Sequence, residues 1–190
     1  MTKRILLAGL LGGLALFLWE FVAHDILPLG EAGVRALPNE RAIQDAIKDN
    51  VREPAFYIFP APELRPGMTA DQKNQAQQTM MRRMQTEPSG IMVVYPRGRL
   101  LQFPMALGSQ LAGDLIAMLL CALLLAYAPM KAYFSRVGFV ATIGLIPTLQ
   151  VDMPQWTWYG FPSDFFAAQF MVHFVGFFLA GLILGRIFRP

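Results

Sequence analysis

The sequence predicts an α-helical membrane protein, a four-helix transmembrane bundle carrying a small α+β extracytoplasmic domain. Three observations predict it: four apolar runs, basic residues gathered at the run ends and in one turn, and a long patterned segment between the first two runs. The 190 residues are 55% hydrophobic and only 15% charged, with a mean hydropathy of +0.41, an excess over what a soluble domain of this size carries. Fifteen Phe and three Trp add to that excess, and such rings suit lipid contact and membrane interfaces.

The first run starts behind Lys3 and Arg4. It is uninterrupted from Ile5 to Trp19 and continues past Glu20 through Ala23. A signal peptide shares a basic start and an apolar centre, but no A-x-A site follows, and the chain passes directly into His24-Asp25-Ile26-Leu27-Pro28. The reading is a retained span within segment 1–29. The second span is expected over Pro104–Ala128 and the fourth over Phe165–Gly185. The third, Val137–Val151, is short for a core of roughly 30 Å at about 1.5 Å per residue. Pro147 interrupts it, so a kink or an extension by Tyr133 and Phe134 is expected.

Orientation follows from charge. Lys3, Arg4, Lys131, Arg136, Arg186 and Arg189 occupy the ends or the turn between spans two and three, where no Asp or Glu joins them. Glu20, Asp25, Asp152 and Asp164 lie toward the opposite side. Basic flanks stay cytoplasmic, so both termini are expected inside, with 30–103 and an aromatic loop, 152–164, outside. The bacterial cytoplasmic membrane is the expected location. The net charge of +3 comes without a basic cluster or interleaved aromatic patch, which excludes a nucleic-acid partner. A single cysteine, Cys121, excludes an internal disulfide and any multi-cysteine metal site.

The segment 30–103 is patterned. Pro38-Asn39-Glu40 reads as a helix start ahead of Ala42, Ile43, Ala46 and Ile47 at helical spacing. Ala55–Phe59 reads as a strand closed by Pro60, Thr69 as the cap of a second helix through about Met84, and Ile91–Tyr95 as a second strand after the turn Pro88-Ser89-Gly90. Two helices and two strands of this size hold barely enough core to fold alone, so the domain is expected to lean on the membrane or on a partner.

Polar residues inside spans are expensive, so they face the bundle interior, pair, or line water. Glu20, His24, Asp114, Gln169 and His173 qualify. Gly9, Gly13, Glu20 and His24 share one face of span one; Gln110, Asp114 and Cys121 share one of span two; Gln169, His173, Gly176 and Ala180 share one of span four. Gly9 and Gly13 form a small-xxx-small pair that permits close helix approach. Counted inward at about 1.5 Å per residue, Glu20 lies roughly 9 Å deep, His173 about 12 Å and Asp114 about 15 Å. Those three could meet across the bundle, with His24 shallower. Carboxylates with histidine bind zinc or another divalent metal, or relay protons. Glu20, His24, Asp114 and His173 are therefore the candidate metal ligands. The plainer reading makes them interhelical hydrogen bonds that fix packing.

In the loop Gln155–Pro162, the residues Trp156, Trp158 and Tyr159 read as an interfacial lipid anchor; a substrate platform is the alternative. Ser89, Glu63 and Asp71 are the catalytic candidates of 30–103, each without a visible partner. No nucleophile elbow, phosphate loop, zinc-protease helix or dinucleotide fingerprint occurs.

Several short motifs recur in order along most of the chain: Trp19 and His24 before Leu27-Pro28-Leu29-Gly30-Glu31, then Leu37-Pro38-Asn39-Glu40 and Tyr57-Ile58-Phe59-Pro60. Pro88-Ser89-Gly90, Val94-Tyr95-Pro96 and Trp156-Thr157-Trp158-Tyr159-Gly160-Phe161-Pro162 follow. In these the chain resembles a family of small, uncharacterised bacterial inner-membrane proteins. The resemblance implies several spans and no activity.

The function expected from these readings is a non-enzymatic accessory subunit of a larger cytoplasmic-membrane complex, joined to other membrane subunits or to its own copies. The alternatives are a metal-binding membrane enzyme and an oligomeric proton or ion conductor, each using the buried Glu, Asp and His residues.

Overall fold

A computed structural model describes residues 2–128 and 130–189. It divides into two compact units, one of residues 2–35 and 101–189 and one of residues 36–100.

The larger unit is helical. α1 (Thr2–Phe21) runs into a wide π-helical turn, Val22–Ile26. α4 (Phe103–Tyr127), α5 (Tyr133–Ile143), α6 (Leu145–Pro147), α7 (Met153–Tyr159) and α8 (Ser163–Ile187) belong to the same unit. Among the described residues, four continuous helical stretches are long and apolar enough to cross a membrane: Thr2–Ile26, Phe103–Tyr127, Tyr133–Tyr159 and Ser163–Ile187. The shorter ones have 25 residues, about 37 Å of helix against a hydrocarbon core of about 30 Å.

The third stretch corrects the expected limits Val137–Val151. Pro147 has no N–H to donate, and its ring crowds the carbonyl four residues earlier, which belongs to Ile143. α5 ends at Ile143, and the chain continues through the short α6 and a second π-helical turn, Thr148–Asp152, into α7. The helix therefore bends and goes on, and stops only at Gly160, which takes the left-handed conformation (φ 69°). The expected loop 152–164 is thus mostly helix, and Asp152 is buried in the stretch instead of marking its outer end.

The helices pack in the order α4, α1, α8, α5, with α1 between α4 and α8. Glycine makes the first contact possible. A Cβ on Gly13 would stand 2.7 Å from the Leu115 Cα, and one on Gly9 would stand 2.9 Å from the Leu119 Cα. The α1 and α4 backbones meet there with no room for a side chain. Around and beyond this crossing lies one apolar core formed by Ala8, Leu16, Met118, Cys121, Ala122, Leu125, Val140, Ala180 and Leu184. Arg136 closes the end beyond it. It is 3% exposed, yet its guanidinium donates to the carbonyls of Gly185 (3.0 Å), Met130 (2.9 Å) and Lys131 (2.8 Å), so the buried charge is hydrogen-bonded.

The smaller unit contains α2 (Glu40–Asn50), β1 (Ala55–Phe59), α3 (Ala70–Thr86) and β2 (Gly90–Val94). The strands pair antiparallel, from Ala55 opposite Val94 to Phe59 opposite Gly90. Thr69 caps α3 as its sequence predicts. Its hydroxyl accepts from the Gln72 N–H at 3.3 Å, and the Gln72 side-chain oxygen accepts from the Thr69 N–H at 2.9 Å, a reciprocal capping box. What the unit lacks is a core. Between residues 36 and 100 only Pro60 and Val94 are buried, and neither α2 nor α3 buries a residue.

Candidate functional site

The polar residues singled out in the sequence form two separate centres, one on each side of α1. In the first, α1 and α4 bring Glu20 and Asp114 together through Gln110. One turn separates Gln110 from Asp114 on α4, so both look toward α1. The Gln110 side-chain amide donates to Glu20 Oε2 at 2.6 Å and to Asp114 Oδ1 at 3.1 Å. Both amide hydrogens are thereby used, one on each carboxyl. Asp114 is 4% exposed, and its second oxygen, Oδ2, is buried with no hydrogen-bond partner among the described residues. Neither carboxyl takes part in an ion pair among the described residues. His24 stands one turn beyond Glu20, but its Nδ1 lies 2.9 Å from the Glu20 carbonyl oxygen, so the ring N–H donates to backbone.

A cavity of about 230 Å³ opens beside this centre, lined by Phe17, Glu20, Phe21, His24, Asp25, Leu107 and Gln110. It borders Glu20 and Gln110, and Asp114 lies behind them, outside its lining. Further along the same helices lies the apolar core around Met118 and Cys121, which offers a proton or ion no polar side chain to step onto.

The second centre departs from expectation. His173 does not join Glu20 and Asp114. α8 presents it to the bent third stretch, where its Nδ1 lies 3.1 Å from Asp152 Oδ2 and 3.3 Å from Thr148 Oγ1. The Asp152 contact is at ion-pair distance but off the line of a hydrogen bond, leaving that oxygen without a donor. Among the described residues no three His, Cys, Asp or Glu side chains are grouped as metal ligands would be. Glu20, His24, Asp114 and His173 therefore do not converge into one ligand set. Gln169 is half-buried on α8.

Asp152 and Thr148 are the residues that sequence reasoning missed. A signal was present: Gly144, Thr148 and Asp152 recur every four residues and share one helix face. Reading the span as ending at Val151 hid it.

Trp156 donates through Nε1 to Ser163 Oγ at 3.1 Å and stacks on Phe166 at 5.5 Å between centroids. Trp158, 84% exposed, stands clear of the bundle, and Tyr159 is also exposed. In the smaller unit, a hollow of about 470 Å³ runs along α3. Of Ser89, Glu63 and Asp71, only Glu63 lines it, at 4.0 Å from Arg65 and exposed. No nucleophile and base are brought together there among the described residues. No family model, curated protein or solved structure matches the chain.

Proposed function

We propose that the chain is a multi-pass protein of the bacterial cytoplasmic membrane that works as a non-enzymatic interaction subunit of a larger membrane assembly. Both termini and the turn around Lys131 face the cytoplasm in this reading, and residues 36–100 lie outside. The charges support that threading: Lys3, Arg4, Lys131, Arg136, Arg186 and Arg189 stand at one end of the four helical stretches. The resemblance of the ordered motifs to those of small bacterial inner-membrane proteins fits the same location. Trp158 then sits at the outer headgroup layer as an anchor.

One observation carries the interaction role, the missing core of residues 36–100. Its elements are formed and capped, yet Ile58 on β1 (48% exposed) and Val93 on β2 (64% exposed) present apolar side chains on the sheet. Ordering a backbone residue costs about 1–2 kcal/mol, and burial of Pro60 and Val94 alone does not offset that over a whole unit. The remaining cover comes from another molecule. The glycine faces do not supply the contact surface, because Gly9 and Gly13 are already used against α4.

The test is photo-crosslinking in cells from Ile43, Ile58 and Val93, followed by purification in mild detergent. Crosslinks to a discrete protein, or to a second copy, that stays bound through purification are expected. A chain that isolates as a free monomer, with crosslinks to lipid alone, would remove the proposal.

A further inference from the structure

We infer that the hollow between the entry to β1 and the turn after β2 binds the phosphate of an anionic phospholipid headgroup, gripped by Arg52 and Arg97 with Arg99 beside them. The first observation is a cluster of positive charge that the fold assembles. Arg52 and Arg97 are far apart in the chain, but the pairing of Ala55 with Val94 brings the residues flanking the two strands together. A turn completes the approach. Pro96 and Arg97 are its central residues, the Gly98 N–H donates to the Tyr95 carbonyl at 2.9 Å, and Gly98 takes a positive φ of 80°. Arg52, Pro54, Tyr95, Pro96, Arg97 and Gly98 thus line a hollow of about 320 Å³. The Arg99 guanidinium lies 5.2 Å from the centre of the Tyr95 ring, which holds a third positive charge at its edge. No carboxylate is in that lining, and none of the three arginines forms an ion pair among the described residues. Glu53 is next to Arg52 in the chain but outside the lining.

The second observation is apolar and selects a lipid over a free anion. Leu100 and Leu101 follow Arg99 directly and are 86% and 61% exposed. α4 begins at Phe103, four residues after Arg99, so at most about 14 Å of chain separates them. The inference rests on the membrane reading of α4, and not on the interaction role of residues 36–100. With α4 inserted, the chain holds the arginines within reach of the headgroup layer, and the two leucines have acyl chains to enter. Arginine suits the phosphate because its planar fork offers paired N–H donors. Basic residues beside a span also gain from an anionic surface. A soluble anion would use the arginines and leave both leucines in water.

The test uses the full chain purified in mild detergent and native mass spectrometry, with phosphatidylglycerol, phosphatidylcholine and inorganic phosphate added separately. Phosphatidylglycerol should bind in preference to phosphatidylcholine. Arg52→Gln with Arg97→Gln should weaken its binding by about tenfold or more. Both side chains are exposed, so the fold should survive, which an unchanged melting temperature checks. Arg41→Gln with Lys73→Gln removes the same charge from α2 and α3, outside the hollow, and should leave binding unchanged. Leu100→Ser with Leu101→Ser should weaken phosphatidylglycerol and spare inorganic phosphate. The inference is overturned if the two lipids bind equally, if the arginine substitutions leave binding unchanged, or if the control pair matters as much as they do. It is also overturned if phosphate binds as tightly as the lipid and the leucine substitutions change nothing, which marks a soluble-anion site, or if the arginine substitutions release a co-purifying protein instead of lipid. A chain that stays soluble without detergent removes the membrane reading and this inference with it. A chain that needs detergent but shows no lipid preference removes this inference alone.

Discussion

Trp19 Nε1 donates to the Val172 carbonyl at 2.9 Å, tying α1 to α8 between the two polar centres. Trp19 precedes Glu20, and Val172 precedes His173, so this bond is one residue along the chain from a member of each polar pair. The indole ring of Trp19 packs over Gly176.

Trp19→Phe keeps most of the ring and removes the donor. A loss of about 1 kcal/mol is expected, read as a lower melting temperature in detergent. Gly176→Ala should cost more, because its new Cβ would stand 2.9 Å from the Trp19 ring and 2.5 Å from Leu16 Cδ1. Equal melting temperatures for all three proteins would show that this contact does not hold α1 to α8.

The glycine contacts on α1 and α4 predict opposite outcomes for one kind of substitution. Gly13→Ala drives a methyl group against the Leu115 backbone and should destabilise by roughly 1–3 kcal/mol. Gly113→Ala, on the facing helix, meets nothing within 4 Å. It should be neutral or stabilising by about 0.5–1 kcal/mol, since alanine is the better helix former. The pair is checked by thermal unfolding side by side.

His173 and Asp152 predict a non-additive cycle. His173→Ala leaves the buried Asp152 carboxyl without its neighbour, whereas Asp152→Asn leaves a half-buried histidine. Removing one partner of a buried pair costs about 3–5 kcal/mol, and removing both costs less than the sum. The loss in the double variant should therefore be smaller than the sum of the two single losses. Additive losses would mean that the two side chains do not interact.

The proposed threading is tested with single cysteines. After Cys121→Ser, cysteines at Lys131 and Val93 should label from opposite sides of sealed cells or vesicles, with Lys131 reached only after the membrane is opened. Labelling of both from one side would reverse the orientation argument and remove the assembly reading built on it.

Arg136→Lys keeps the positive charge that governs threading but loses the planar fork that reaches Gly185, Met130 and Lys131 together. Orientation should be unchanged and stability lower by about 1.5–3 kcal/mol. Cysteine labelling and thermal unfolding separate the two effects.

Much of the local structure was legible in the sequence. β1 spans Ala55–Phe59, ahead of the closing Pro60, as the sequence indicates, and β2 is displaced by one residue, to Gly90–Val94. α3 begins after Thr69 because that hydroxyl and Gln72 complete a local motif. The pairing of Glu20 with Asp114 was also accessible, since each lies on its helix's polar stripe. The partner of His173 was not. A stripe shows which side of a helix turns inward, but not which neighbour it meets there. Pro147 concealed the rest: a missing N–H can end a helix or merely bend it, and the difference depends on whether other groups take up the released bonds.

The amino-acid order by itself determined the four apolar helical stretches, the ends at which basic residues collect, and the caps and strands of residues 36–100, because hydropathy, charge and hydrogen-bonding caps act over a few neighbouring residues. Only the tertiary structure decided that α1 lies between α4 and α8, that Asp152 is buried beside His173, and that Gln110 joins Glu20 to Asp114. Those outcomes depend on which helix backbones can approach closely. That is set by the fit of glycines against facing side chains from distant parts of the chain, and no local pattern records it.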